Sequence, residues 1–409
     1  MRALYISHIG MTEPLGQSQV LPYLRGLAAA GADIRVMSFE HATTSRETIE
    51  AHRDAMRADG LRWHPLVRSA AHGLGVKMAE SGAAVLRGLA AALVERPDIV
   101  HARSYLPAAA ADVIATLSPR SKLLFDCRGM LGDEYIDNGQ WTEDRVEYRL
   151  LKRFERRVFH RAEGVVVLTR ALHEWLRARS MLAARTAVEV IPCCVDMRRF
   201  KPSEASRREA RAELGVGDRL ALVYSGSLGS WYLEDEMARY AAHVERVAKE
   251  RGMGLAVVVL SPSDPGPLRS KLEARGLSPG NLVFRKVAPA RMAHYLTAGD
   301  IGMSFIQSCF SKKGSSPTKV AEYLASGMIV TVNGDIGDQA DLAREEEACV
   351  VLDGYAEDTL LAAARRAVRL AEVPYLARAE LTSRAARANF DLAEIGVPRY
   401  TRLYRALAG

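Results

Sequence analysis

Leu220-Ala221-Leu222-Val223-Tyr224-Ser225 and Leu255-Ala256-Val257-Val258-Val259-Leu260 are short apolar runs without polar alternation, separated by a longer stretch of helical periodicity. A strand reads this way when both of its faces are buried, as in a parallel sheet with helices on each side. Working outward, similar runs follow at 282–284, 301–305, 329–332 and 348–352, and an earlier series stands at 3–7, 34–39, 99–101, 123–125, 164–168 and 188–191. Helical patterns fill the gaps. In 145–161, Val146, Leu150, Phe154 and Val158 recur every four residues and predict a helix with an inward apolar stripe. Two such series imply an α/β protein of two doubly wound domains. Pro192 and Pro202 flank a polar turn, so the domains are expected at 1–195 and 196–385. The remaining 386–409 reads as helix with a break near Gly396-Val397-Pro398, expected to pack back on the first domain. Ligands of open parallel sheets bind beyond the carboxyl ends of the strands, which points to loops there and to a cleft between two facing domains.

The 409 residues carry 56 Lys+Arg against 49 Asp+Glu, a net charge of +7 that favours anionic partners without choosing among them. Hydrophobic residues make up 48%, enough for real cores, so a disordered or fibrous chain is excluded. The five cysteines, Cys127, Cys193, Cys194, Cys309 and Cys349, include no C-x-x-C pair. A disulfide framework or metal site is therefore not expected, and a reducing cytoplasm fits. Residues 2–6 read as a strand rather than an export signal, and the apolar stretch 82–94 is broken by Arg87 and too short to span a bilayer.

The most informative loop is Ser315-Ser316-Pro317-Thr318-Lys319-Val320-Ala321-Glu322-Tyr323-Leu324-Ala325-Ser326-Gly327. Ser316 suits an N-cap, Pro317 the first helical position and Gly327 the stop. The amides of Thr318 and Lys319 would then lie free at the positive end of the helix dipole, where phosphate binds readily. Lys319 adds charge, and Lys312 and Lys313 lie just upstream. Glu322 shares a helix face with Lys319 and is placed to accept hydrogen bonds from a ribose. The alternative is a plain capped helix with a solvated Lys319–Glu322 pair.

Residues 317–327 resemble the donor-binding helix of retaining, GT-B-fold glycosyltransferases of family 4 (group 1). Three further segments agree in order. Glu13-Pro14-Leu15-Gly16-Gln17-Ser18-Gln19 resembles the family's glycine loop, and Phe125-Asp126-Cys127-Arg128-Gly129 with Asp133-Glu134 an acceptor-side loop. Ile191-Pro192, Val195-Asp196 and Phe200-Lys201-Pro202 resemble the interdomain linker. The resemblance implies two Rossmann-like domains, a nucleotide-diphosphate sugar held mainly by the second, an acceptor held mainly by the first, retention of configuration, and neither metal nor cofactor. Carried over, Glu322 holds the ribose; Ser316, Thr318 and Lys319 meet the diphosphate; Gly16 and Gln17 approach the donor phosphate. The loop Arg285-Lys286-Val287 lies beside the nucleobase. The chain departs from the family in four places, the first being Gly16-Gln17 where the glycine loop usually has a glycine pair. Gly314 stands where a first glutamate is usual, Ser227 and Tyr232 where an Arg and a Lys are usual, and Asp126 where a His is frequent. The missing cations leave Lys319, Lys312, Lys313 or Arg285 to supply the charge.

Sugar transfer needs charge stabilised on the departing diphosphate, and Lys319 with the helix-end amides offers that. The departing phosphate itself can take the acceptor's proton in a front-face reaction. Asp126 orients acceptor or sugar, acts as a base, or merely caps its own loop. Arg128 pairs with Asp126 or with an anionic acceptor group. Arg103, after the strand at 99–101, and Glu134 complete the acceptor-side candidates; His101 and His8 are weaker ones. The basic 145–161 helix offers a contact with an anionic membrane, the acceptor then being a lipid-linked glycan rather than a free glycan or small molecule. These features place the chain in the cytoplasm or at the inner face of a membrane, in surface polysaccharide or glycoconjugate synthesis. Nucleic acid is not expected, for want of interleaved aromatics. No G-x-G-x-x-G follows the first strand, which speaks against a dinucleotide oxidoreductase. A nucleotide-sugar epimerase and a non-catalytic binding subunit remain rival readings of the same fold.

Overall fold

The computed structural model describes residues 1–68 and 74–409. They form two compact units, one of residues 1–192 with 392–409, the other of 193–391. The chain leaves the first unit three residues before the expected 195, at Pro192, and returns to it at Leu392, beyond the expected 385.

The first unit is built on seven parallel strands: β1 (Arg2–Ser7), β2 (Asp33–Glu40), β3 (Leu61–Val67), β4 (Ile99–Arg103), β5 (Lys122–Asp126), β6 (Gly164–Val167) and β7 (Ala187–Val190). Their order is β3-β2-β1-β4-β5-β6-β7, so the direction of winding reverses between β1 and β4. The sequence reading missed β3. It is an edge strand whose residues alternate between buried and exposed, and it contains Pro65, which an edge tolerates and a central strand does not. The 145–161 helix forms as Val146–Arg161, but its apolar stripe does not all face inward. Val158 and Phe159 are buried, whereas Val146 and Leu150 are 65% and 56% exposed. A stripe repeating every four residues drifts around a helix of 3.6 residues per turn, so its two ends face different ways.

The returning segment ends in the helix Val397–Ala408, which packs within the first unit. Gly26 and Gly164 lack side chains where it approaches: a methyl on them would stand 2.2 Å from Val397 and 2.7 Å from Leu407. Tyr400 and Tyr404 on this helix are buried, and Arg402 pairs with Glu189 at 2.7 Å.

The second unit has six parallel strands: β8 (Leu220–Ser225), β9 (Leu255–Leu260), β10 (Leu282–Arg285), β11 (Ile301–Ser304), β12 (Ile329–Asn333) and β13 (Cys349–Leu352). The order β10-β9-β8-β11-β12-β13 reverses between β8 and β11. Every residue of β8, β9 and β11 is buried, which is why their sequences read as unbroken apolar runs. At the amino end of this sheet the buried carboxylate of Asp300 accepts the Ala221 amide at 2.8 Å and faces Arg207 (2.5 Å), Arg378 (2.7 Å) and Arg211 (3.3 Å). With that end sealed by ion pairs, the loops at the carboxyl ends remain for ligands.

Candidate functional site

In the second unit the loop after β11 leads into the helix Thr318–Ala325. Its anchor is Tyr323. The ring lies against Gly302 of β11, where a methyl would come within 2.3 Å of it, and the hydroxyl accepts the Ser225 amide at 2.6 Å. This fixes the helix to the last residue of β8. Gly327 ends the helix at φ +93°, a backbone that glycine adopts without strain.

The start differs from expectation. Pro317, not Ser316, is the N-cap residue, and the Ser316 hydroxyl accepts the Cys193 amide at 3.1 Å. Ser316 therefore tethers this loop to the linker. Val320 donates to the Pro317 carbonyl, so the amides of Thr318 and Lys319 precede the helix's own ladder.

The Lys319 ammonium is buried between two aromatic faces, 4.0 Å from the ring centroids of Tyr224 and Tyr232, and has no hydrogen-bond partner among the described residues. Gly226, at φ +116°, lets the loop after β8 descend onto it: a methyl there would stand 3.2 Å from Nζ. Burial draws the ammonium's pKa down to about 7, opposed only weakly by Glu322. Burial likewise pushes the Glu322 carboxyl up to about 7, against the pull of Arg199 and Lys319. The Glu322 carboxylate makes no hydrogen bond or salt bridge among the described residues. The pair is thus not the solvated ion pair of the alternative reading. It is a buried cation and a half-buried carboxylate that both lack hydrogen-bond partners, the condition an anionic, hydroxyl-bearing ligand relieves.

Other expected donor residues fall differently. The Ser227 carbonyl accepts a bond from the Tyr224 hydroxyl, so Ser227 shapes the loop over Lys319. Arg285 is engaged with Tyr295 (3.0 Å) and Glu213 (3.6 Å), which leaves the exposed Lys286 and half-buried Val287 as the open part of the loop after β10. Lys312 is buried with its ammonium 3.7 Å from the Trp231 ring centroid.

In the first unit, Gly16 is hemmed in by its own loop. A methyl there would stand 2.1 Å from the Gly10 carbonyl oxygen, so its missing side chain serves the loop's own packing. Gln17 donates to the Met11 carbonyl at 2.5 Å. A residue that sequence reading missed, the fully buried Glu40 at the end of β2, organises this loop. It accepts the Met11 amide (2.7 Å) and the Thr12 amide and hydroxyl (3.1 and 2.6 Å).

Asp126, ending β5, is the centre of the acceptor-side candidates. Burial opposes its charge, but Arg128 at 3.4 Å, with His101 and Arg103 each at 3.9 Å, outweighs burial and holds the carboxyl far below its usual range. A carboxylate so stabilised is a poor proton acceptor, which favours the orienting role over the general base. Burial pulls His101 down, and its Nδ1 meets the Tyr404 hydroxyl at 2.8 Å. Glu134 lies beyond Gly129, on the short helix Leu131–Asp137. Sequence reading also missed the buried Glu155, which accepts from Tyr105 (2.8 Å) and pairs with Lys152, itself 2.8 Å from Asp133. The charged positions on 145–161 gave no sign that one of them would turn inward.

Residues 16–194 match the family described as the glycosyl transferase 4-like domain. The sucrose-phosphate synthase of Thermosynechococcus elongatus is similar in structure over 99% of this chain and 98% of its own, at a TM-score of 0.72 and 15% identity. Anabaena HepE, solved with UDP, matches over 100% of both chains at 0.69 and 13%. WaaG, a glycosyltransferase involved in lipopolysaccharide biosynthesis, matches over 100% of this chain and 98% of its own at 0.65 and 15%.

Residues 16–194 thus carry a glycosyl transferase 4-like domain, and the chain along its length has the fold of these structures.

No curated protein sequence matches this chain. Among its described residues no helix is long and apolar enough to cross a membrane, and no cluster of three or more His, Cys, Asp or Glu is placed to hold a metal ion.

Proposed function

We propose that this glycosyltransferase takes a sugar from a nucleoside-diphosphate sugar, with retention of configuration and without a metal ion, and passes it to a glycan, a lipid-linked glycan or a small hydroxylated acceptor. The observation that carries the donor assignment is the Lys319 ammonium, buried, unpartnered and set beside two free helix-start amides. A diphosphate accepts from all three groups. Charge developing on it as the glycosidic bond breaks is met by donors already in place. Glu322, one turn in, accepts from the ribose hydroxyls. Uridine is the first base to try, since HepE was solved with UDP and with UDP-glucose. With Asp126 held ionised, the acceptor's proton goes to the departing phosphate and needs no protein base.

The decisive experiment is turnover with a panel of nucleotide sugars and acceptors, in chelator, with the anomeric configuration of the product read by NMR. Retained configuration supports the reading; inversion overturns the mechanism. An epimerised donor formed without acceptor overturns the reaction type.

The exposed Val146 and Leu150, interleaved with the exposed Arg149 and Arg153, support a contact of this helix face with an anionic bilayer. The acceptor is then lipid-linked, the enzyme works at the inner face of the membrane, and the product enters a surface polysaccharide or glycoconjugate. Co-sedimentation with vesicles rich in phosphatidylglycerol, lost in a V146S/L150S variant, is the expected result. Equal sedimentation with neutral vesicles removes the idea.

A further inference from the structure

A second buried cation lacks hydrogen-bond partners on two of its nitrogens, and it is in the other unit. Arg103, the last residue of β4, is 4% exposed, and its Nε and Nη1 have no hydrogen-bond partner among the described residues. Its charged neighbour is Asp126, at 3.9 Å, too far for a hydrogen bond. That carboxylate is already shared: Arg128 stands 3.4 Å from its other oxygen. Arg103 is thus a second guanidinium turned to a carboxylate that Arg128 already approaches more closely.

The chain just after Arg103 adds donors. Ser104 holds φ +72° and makes no side-chain cap on the helix Tyr105–Leu117 that follows. Its own amide goes to the Asp126 carbonyl at 2.9 Å, and the Ala108 amide goes to the Ser104 carbonyl at 3.1 Å. Pro107 has no N–H, so the Tyr105 and Leu106 amides are the donors at this helix start. The small cavity on the other side of Asp126, lined by Tyr5, Gln19, Tyr23, His101 and Tyr400, has room for about one water and not for a larger anion. Arg103 itself stands at the carboxyl end of β4, where ligands of parallel sheets bind.

We propose that Arg103 and the start of the Tyr105–Leu117 helix form a subsite for an oxyanion, a phosphate or carboxylate group carried by the acceptor. The planar guanidinium offers two parallel N–H groups to such a group, and the helix start supplies amides of the right polarity. The proposal rests on the glycosyltransferase reading above and narrows its acceptor from any hydroxylated molecule to an acidic one.

The test uses the full chain saturated with UDP, so that the Lys319 site is filled. Binding of glucose 6-phosphate, glucuronate and glucose is measured by calorimetry. The sugar phosphate or the uronate is expected to bind at least tenfold more tightly than glucose, and whichever of the two prevails identifies the anion. R103Q should abolish that preference while UDP affinity and circular dichroism stay as in the parent. R103K, which keeps the charge facing Asp126 and loses the fork, should retain an intermediate preference and serves where R103Q does not fold. Equal binding of all three sugars, or an unchanged preference in both variants, overturns the subsite; a bridging water then completes Arg103. If UDP does not bind, the donor assignment has failed by itself, and the same sugars are compared in a K319A background without nucleotide.

Discussion

Two centres occupy corresponding places in the two units. Each stands at the carboxyl end of the strands beside the reversal of winding, after β11 in one unit and at β4 and β5 in the other. In the second unit a lone ammonium, Lys319, is stacked on tyrosines and has lost water without gaining an anion. In the first unit a carboxylate, Asp126, is ringed by Arg128, Arg103 and His101. Burial acts on both groups in the same sense, against charge, and the outcome differs because only Asp126 has opposite charges close enough to outweigh it. The Lys319 centre is therefore soft, with its pKa drawn down to about 7, whereas the Asp126 centre is fixed across the physiological range. Soft groups respond to ligand and pH; fixed ones give shape and a constant field.

The largest effect that could overturn this contrast is that of Lys319→Ala. If Lys319 meets the diphosphate, kcat/KM for sugar transfer should fall by about 10²–10³-fold, as for loss of one preorganised donor to a developing anion. A fall under threefold in a steady-state assay would make the ammonium structural.

A second effect is on pH. An anionic ligand selects protonated Lys319, so UDP affinity should fall by up to about tenfold per pH unit above about pH 7, with proton uptake on binding seen by calorimetry in two buffers. Stability of the free protein moves oppositely. The unfolded chain, with an ordinary lysine, binds more protons between about pH 7 and pH 10.5, so this group makes folding more favourable as pH rises through that window. Glu322 works the other way: its raised pKa makes stability fall as pH rises from about 4.5 to about 7. Asp126, held low, should add no pH dependence to either quantity between about pH 6 and pH 9.

A third change probes the scaffold under the soft centre. Gly302→Ala puts a methyl 2.3 Å from the Tyr323 ring and should cost about 1–3 kcal/mol in urea unfolding. It should also weaken UDP binding, because Tyr323 seats the donor helix on β8. The smallest effect is expected at the fixed centre. Tyr404→Phe removes one hydrogen bond to His101 and should cost about 1 kcal/mol without changing UDP affinity.

The donor helix is legible in the sequence because its signals are local: a proline at the start, a glycine at the stop, and a lysine and glutamate three apart. Ser316 reads as the cap, but its hydroxyl bonds to Cys193, far away in sequence. Gly16 is ambiguous because a glycine has the same letter whether it makes room for a ligand or for the Gly10 carbonyl. Glu40 and Glu155 escape notice for a related reason: a charged residue inside a strand or a basic helix reads as surface until its buried partners are known.

The order of residues along the chain dictates the two parallel sheets, since a strand buried on both faces must be apolar throughout, and it marks where the helix Thr318–Ala325 stops and, to within a residue, where it starts. Which charges are left without partners is settled only in three dimensions. Lys319 and Arg103 become binding candidates, and Asp126 becomes better suited to orienting than to acting as a base, through contacts between distant segments. The free energy of a charge depends on the groups that replace its water, and those groups are brought together by folding.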